Sequence, residues 1–139
     1  MDLSVKYTFL EVDDHESALA FYRDVLGLEV RQDVAMEGAR WLTVGSASQP
    51  DLGIVLQTAG VGRPPEDAAQ LRELLAKGSF GLVMETGNVD ATFEAVQATG
   101  AEVLQEPMDQ PYGTGGATRD CAFRDPSGNQ VRIIQRVKS

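Results

Sequence analysis

Few side chains in this sequence are able to do chemistry, and their types already narrow the possibilities. There is one histidine, His15, and one cysteine, Cys121. A single imidazole excludes a two-histidine metal site within one chain. A single thiol excludes an intrachain disulfide, a paired-cysteine redox motif and a cysteine-rich zinc site. His15 stands among Asp13, Asp14 and Glu16, the make-up of a helix start, and reads as an exposed first-turn residue rather than a general base. Cys121 lies in a predicted strand with no basic neighbour except Arg119 and reads as a small buried residue rather than a nucleophile. Glu11 and Glu85 would act as bases or cation receivers if they faced a pocket, and otherwise are solvated strand ends. Arg132 offers a permanent cation and hydrogen-bond donor but no proton base; it is either a surface strand residue or a cavity cation pairing Glu85, Glu11 or a ligand carboxylate. Tyr7, Phe9, Trp41 and Tyr112 would supply apolar walls, and Gln57 an orienting amide.

These residues must be positioned by the elements around them. Val5 to Val12 has the alternation of a strand, with Tyr7, Phe9 and Glu11 on one face and Thr8, Leu10 and Val12 on the other. A helix follows to about Leu26. Asp13 or Asp14 caps it, Ala18, Leu19, Phe21, Tyr22, Val25 and Leu26 form its apolar stripe, and Gly27 ends it. Strands are expected over Leu28–Val34, Arg40–Val44 and Leu52–Thr58. A Gly/Pro connection then leads to a short amphipathic helix, Asp67–Ala76, whose Leu71, Leu74 and Leu75 suit a core or a dimer contact. The second half repeats the pattern. Strand Phe80–Thr86 is followed by a helix over Val89–Thr99 capped by Asn88, then by strands Ala101–Glu106, Thr118–Arg124 and Gln130–Val137. Leu26-Gly27-Leu28-Glu29-Val30 returns as Thr99-Gly100-Ala101-Glu102-Val103, a helix that stops at glycine and drops into a strand.

The expected architecture is therefore α+β: one domain, 1–139, of two βαβββ modules. They span about 1–60 and 79–139 and are joined by a linker helix at about 65–78. Each sheet carries a helix on its convex side, which leaves a concave face. By strand parity that face collects Tyr7, Phe9 and Glu11, then Trp41, Gln57, Glu85 and Arg132. Tyr112 stands in the loop Pro111-Tyr112-Gly113-Thr114-Gly115-Gly116, which is either a plain flexible connection or a lid over the face. No Gly-x-Gly-x-x-Gly stands between a strand and a helix, so the glycines do not form a dinucleotide site.

Twenty-one acids against 12 Lys and Arg give a net charge of -9. That field disfavours nucleic acid and anionic membrane surfaces and suits a neutral or cationic small molecule. The acid-bearing start, MDLSVKYTFLEVDD, is unlike a signal peptide, and no apolar run approaches the ~18 residues of a membrane helix. The expected compartment is the cytoplasm.

Leu10-x-Val12-x-Asp14-x-x-x-Ala18-x-x-Phe21-Tyr22-x-x-Val25-Leu26-Gly27, followed by Phe123-x-Asp125-Pro126-x-Gly128-Asn129, resembles the vicinal oxygen chelate superfamily. That group contains glyoxalase I, extradiol dioxygenases and fosfomycin- and bleomycin-resistance proteins. The resemblance runs over nearly the whole chain and implies the tandem βαβββ fold. It also implies four sheet positions for metal ligands, which here read Tyr7, Gln57, Gly81 and Arg132, a poor donor set for a divalent ion. The chain is in this respect similar to metal-free, bleomycin-resistance-like members, which bind ligands and are often dimers with the pocket at the interface. The expected function is metal-independent and cofactor-free binding of a small organic ligand by a homodimer, for sequestration or self-resistance. Three other readings stay open: a metal-independent lyase or isomerase using Glu85 or Glu11 with Arg132, a glyoxalase-like enzyme with a non-standard site, and a structural or regulatory dimer with a vestigial pocket.

Overall fold

The structure is a computed structural model that describes residues 1–111 and 118–136. Strand β1 (Tyr7–Val12), helix α1 (His15–Val25) and strands β2 (Glu29–Met36), β3 (Ala39–Gly45) and β4 (Gly53–Thr58) form the first module. Helix α2 (Pro65–Ala76) links it to β5 (Gly81–Thr86), α3 (Val89–Gln97), β6 (Glu102–Gln110), β7 (Thr118–Arg124) and β8 (Gln130–Gln135). The two four-stranded sheets have equivalent orders, β1-β4-β3-β2 and β5-β8-β7-β6. In each, the first and last strands run parallel and the remaining pairs antiparallel.

Asp14 caps α1 by accepting a 2.8 Å hydrogen bond from the Ser17 amide, and Asn88 caps α3 in the same way through the Ala91 amide. α1 is α-helical over His15–Leu19 and π-helical over Ala20–Val25. The Leu26 amide reaches back five residues to the Phe21 carbonyl. The wider turn lets adjacent Phe21 and Tyr22 both be buried, their rings edge to face at 5.0 Å.

Leu10, Val12, Leu42, Val44 and Leu56 of the first sheet share a continuous core with Phe21 and Tyr22. The same core takes in Val89, Phe93 and Val96 of α3 and Cys121, Phe123, Val131 and Ile133 of the second sheet. The helix-covered faces thus meet inside, and the other face of each sheet turns away. Burial, and then the nearby Asp120 carboxylate, push the Cys121 thiol up to about 11, which keeps it protonated in this core.

A polar latch joins the modules. One carboxylate oxygen of Asp125 accepts the amides of Ser127, Gly128 and Asn129, each at 2.9 Å. The other accepts the Tyr22 hydroxyl at 2.6 Å and the Asn129 side-chain amide at 2.9 Å. The same Asn129 amide donates to the Glu11 carbonyl, and the Ser127 hydroxyl accepts from the Asp13 amide. Burial, with the Asp125 charge second, raises the Tyr22 hydroxyl far above its ordinary pKa and keeps it a donor.

The repeat also shows in ion pairs. Arg40 on β3 bridges Glu16 of α1 and Asp33 of β2, and Arg119 on β7 bridges Asp90 of α3 and Asp109 of β6. Each arginine holds its strand partner or helix acid, Asp33 or Asp90, below the usual carboxylate range.

The structure moves some expected boundaries. β1 starts at Tyr7, and β6 runs on to Gln110, through the expected Asp109 loop start. Pro107 lies within β6 at an irregular register. It is tolerated because β6 is an edge strand, where a missing amide donor costs no ladder bond. β2, the matching edge, is irregular between Val30 and Gln32. α2 starts at Pro65, two residues early. Its Leu75 is buried while Leu74 is largely exposed, so only part of the expected apolar stripe enters the interior. Among the described residues no helix is long and apolar enough to cross a membrane.

Candidate functional site

The outward face of the first sheet gathers three of the aromatics singled out by sequence. Register places Phe9 beside Val55, and Val55 beside Thr43, with Trp41 two residues along β3. The Trp41 ring meets Tyr7 edge to face at 5.5 Å and Phe9 at 6.5 Å. One side chain that the sequence reading missed organises them. The Gln32 carbonyl oxygen accepts both the Tyr7 hydroxyl, at 3.1 Å, and the Trp41 indole N–H, at 2.9 Å. Gln32 lies opposite Thr43 across the β2 irregularity, and that offset is invisible without the pairing. Phe9 remains 58% exposed, a large apolar surface left bare on the edge strand β1.

The charged candidates are each engaged. Glu11 takes Arg63 at 2.8 Å, and Arg63 also donates to the Ala59 carbonyl. Glu85 is exposed and takes Arg136 at 3.0 Å. Arg132, which by sequence suited Glu85, Glu11 or a ligand, instead donates one nitrogen to Asp120 at 3.0 Å and to Gln105 at 2.9 Å. The reason is register. Arg132 lies opposite Ala122, two residues from Asp120, whereas Glu85 lies opposite Ile134, at the end of β5 near Arg136. Asp120 is buried, and burial alone would raise its pKa. Hydrogen bonds from Gln105, Gln110 and Arg132 outweigh that and hold it below the usual carboxylate range.

A carboxyl with a lowered folded pKa stabilises the fold above its unfolded value, about 3.9, and that stability is lost as pH falls through the folded value. Asp120→Asn is therefore expected to cost about 1–3 kcal/mol at neutral pH. Its deficit should shrink progressively as pH falls below about 3.9 towards the lowered folded value. Urea unfolding at pH 7 and over a descending series below about pH 4 checks this.

His15 is half-buried, not exposed, and its Nε2 stands 2.9 Å from the Leu56 carbonyl oxygen, so it ties α1 to β4. Tyr112 lies outside the described residues. The rest of the expected pocket is divided within one chain. Tyr7 borders a depression of about 210 Å³ with Gln32 and Thr43, and Arg132 one of about 280 Å³ with Gly81 and Val83. Glu85 borders a groove of about 580 Å³ between the sheets, with Thr8, Ile54 and Met84. Phe9, Trp41 and Gln57 stand on the first sheet and Arg132 on the second.

A profile described as "Glyoxalase/Bleomycin resistance protein/Dioxygenase superfamily" matches residues 4–133. The chain belongs to that superfamily. The crystal structure of UcmS2 superposes with a TM-score of 0.87 at 34% identity, covering 96% of this chain and 98% of that one. TnmS3, described as an antibiotic binding protein from Streptomyces sp. CB03234, superposes with a TM-score of 0.75 at 29% identity over 99% of both chains. An uncharacterised Bacillus subtilis protein, YurT, is 24% identical over 96% of this chain and its own full length.

The superfamily's metal positions do not fit an ion here. The Tyr7 hydroxyl is spent on Gln32, Gly81 has no side chain, and Arg132 is a cation already paired with Asp120. Register adds a correction to the second position. Tyr7 lies opposite Gly53, so Gln57 stands four residues away, about 13 Å along the strand, too far to share an ion with Tyr7. Val55, the diagonal neighbour of Tyr7, is apolar. Among the described residues no three acidic, histidine or cysteine side chains cluster as a metal site.

Proposed function

We propose that this protein binds a small, largely apolar aromatic ligand without a metal, as a homodimer, and sequesters it in the cytoplasm. The observation that carries the reading is the Tyr7–Phe9–Trp41 cluster, fixed by Gln32 and left open on the outward face of the first sheet. Rigid aromatics with a few placed polar groups are the usual make-up of a small-molecule wall. The antibiotic binding of TnmS3, at 29% identity, supports the same reading.

A second copy supplies the opposite wall. On the outward face of the second sheet Val83 is 62% exposed beside Arg132. The outer edges β2 and β6 are irregular, which blunts pairing, while the ladders of β1 and β5 are regular along free edges. Those edges suit contact between copies, which would bring the first sheet of one chain over the second sheet of its partner. Light scattering at tens of micromolar is expected to give a dimer mass, and a monomer mass counts against the arrangement. Catalysis by Glu11 or Glu85 finds less support, since each carboxylate is held by an arginine.

The test is a titration of aromatic metabolites and antibiotics against the fluorescence of Trp41, the only tryptophan, with a parallel thermal-shift scan. Saturable quenching with a rise in Tm is expected, and Trp41→Ala should weaken the hit about 30-fold by calorimetry. A panel that moves neither signal, or a hit that Trp41→Ala binds as well as wild type, refutes the reading.

A further inference from the structure

Beneath the aromatic cluster lies a buried hydroxyl with nothing to bond. Thr43 is fully buried, and its Oγ1 has no hydrogen-bond partner among the described residues. It lines the depression of about 210 Å³ with Lys6, Tyr7, Arg31, Gln32 and Gly53. A buried hydroxyl left unpaired costs free energy, so a strand position that keeps one rather than valine calls for a reason.

Of the polar side chains that line it, Arg31, Gln32 and Lys6 are engaged, and Asp51 is exposed. The Arg31 guanidinium donates to the carbonyls of Ser46 at 2.7 Å and Pro50 at 3.0 Å, which ties down the β3–β4 loop. The Gln32 oxygen is shared by Tyr7 and Trp41. Lys6 stands over the Tyr7 ring at 5.6 Å. Apart from the exposed Asp51 carboxylate, what remains is the buried Thr43 hydroxyl, an uncharged donor and acceptor. The half-buried Tyr7 ring occupies the space that the missing Gly53 side chain leaves; a Cβ there would stand 3.0 Å from the ring. The space exceeds the roughly 30 Å³ share of one water several-fold, enough for a substituent of a few atoms.

We infer that Thr43 is a specificity-determining residue, which pairs with an uncharged hydroxyl, carbonyl or amide substituent on the aromatic ligand. The inference rests on the aromatic-face reading above and adds the chemistry of one end of the ligand. A ligand that satisfies an orphan hydroxyl gains a hydrogen bond, and a purely apolar analogue leaves the group unpaired, which is how polar sites discriminate strongly.

The test uses two probes of similar size, 2-naphthol and 2-methylnaphthalene, titrated into wild type and Thr43→Val with Trp41 fluorescence as the readout. Valine keeps the shape and removes the hydroxyl. The preference for naphthol over methylnaphthalene is expected to fall about tenfold in Thr43→Val, with methylnaphthalene affinity unchanged. The ligand-free variant should melt at the same temperature as wild type or higher, since an unpaired hydroxyl has been removed. A preference unchanged within about twofold overturns the inference. So does a lower melting temperature for the ligand-free variant, which would mean the hydroxyl is partnered in the free protein. If neither probe quenches wild-type Trp41 at millimolar concentration, the aromatic-face reading fails, and the role of Thr43 with it.

Discussion

Gly128→Ala should be among the most damaging single changes in this chain, with an expected loss of about 3–5 kcal/mol. Gly128 has φ +115°, a region that side chains avoid, and an added Cβ would collide with the Leu75 carbonyl oxygen and crowd the Ala76 backbone. Neither contact is a flexible side-chain tip, so relief requires α2 to move as a body. The turn cannot yield easily either. Arg124 donates to the Gly128 carbonyl at 2.9 Å, and Gln130 donates to the Gly78 carbonyl at 2.9 Å, just past the end of α2. Urea denaturation followed by circular dichroism checks the loss. A variant within about 1 kcal/mol of wild type would show that α2 is not seated on the turn as described.

Asp125→Ala is expected to cost a similar amount, about 3–5 kcal/mol, by a different route. It leaves three backbone amides, the Tyr22 hydroxyl and the Asn129 side-chain amide without their shared acceptor. Asp125→Asn should recover little, because its NH2 group would face donors on one side of the latch. Tyr22→Phe removes one bond and should cost about 1–2 kcal/mol. The order Asp125→Ala worst, Tyr22→Phe mildest, is the checkable pattern. Near-equal losses for the two would mean that the latch matters only through the tyrosine.

These two positions show what the sequence makes legible. Asp-Pro-x-Gly-Asn, Phe-Tyr and Leu-Gly pointed to the fold because they encode local geometry: an acceptor for a turn, a helix face and a helix stop. The alternation of β1 likewise put Tyr7, Phe9 and Glu11 on one face, and the structure agrees. Partner choice across strands was not legible. Arg132 found Asp120 rather than a glutamate, and Gln57 fell too far from Tyr7 to share an ion, because register is set by strand pairing and edge irregularities. Gln32 escaped notice for the same reason. It acts only by standing between Tyr7 and Trp41, which are 34 residues apart in a chain of 139. The π-helical widening in α1 has no sequence period of its own, so the adjacent burial of Phe21 and Tyr22 could be named but not explained.

The Tyr22–Asp125 bond also sets a schedule for biosynthesis. Its partners are separated by 103 positions, and Asn129 reaches back 118 to the Glu11 carbonyl. A ribosome has made α1 and the whole first sheet long before it makes the groups that seal them. Until residue 129 clears the exit tunnel, the Tyr22 hydroxyl has only water or a chaperone to meet. Contacts of this span slow folding, since the loop they close must be ordered first. The nascent first module is therefore the stage at which this protein is most open to aggregation and proteolysis, and a chain stopped before Asp125 should be cleared rather than kept as half a binding site.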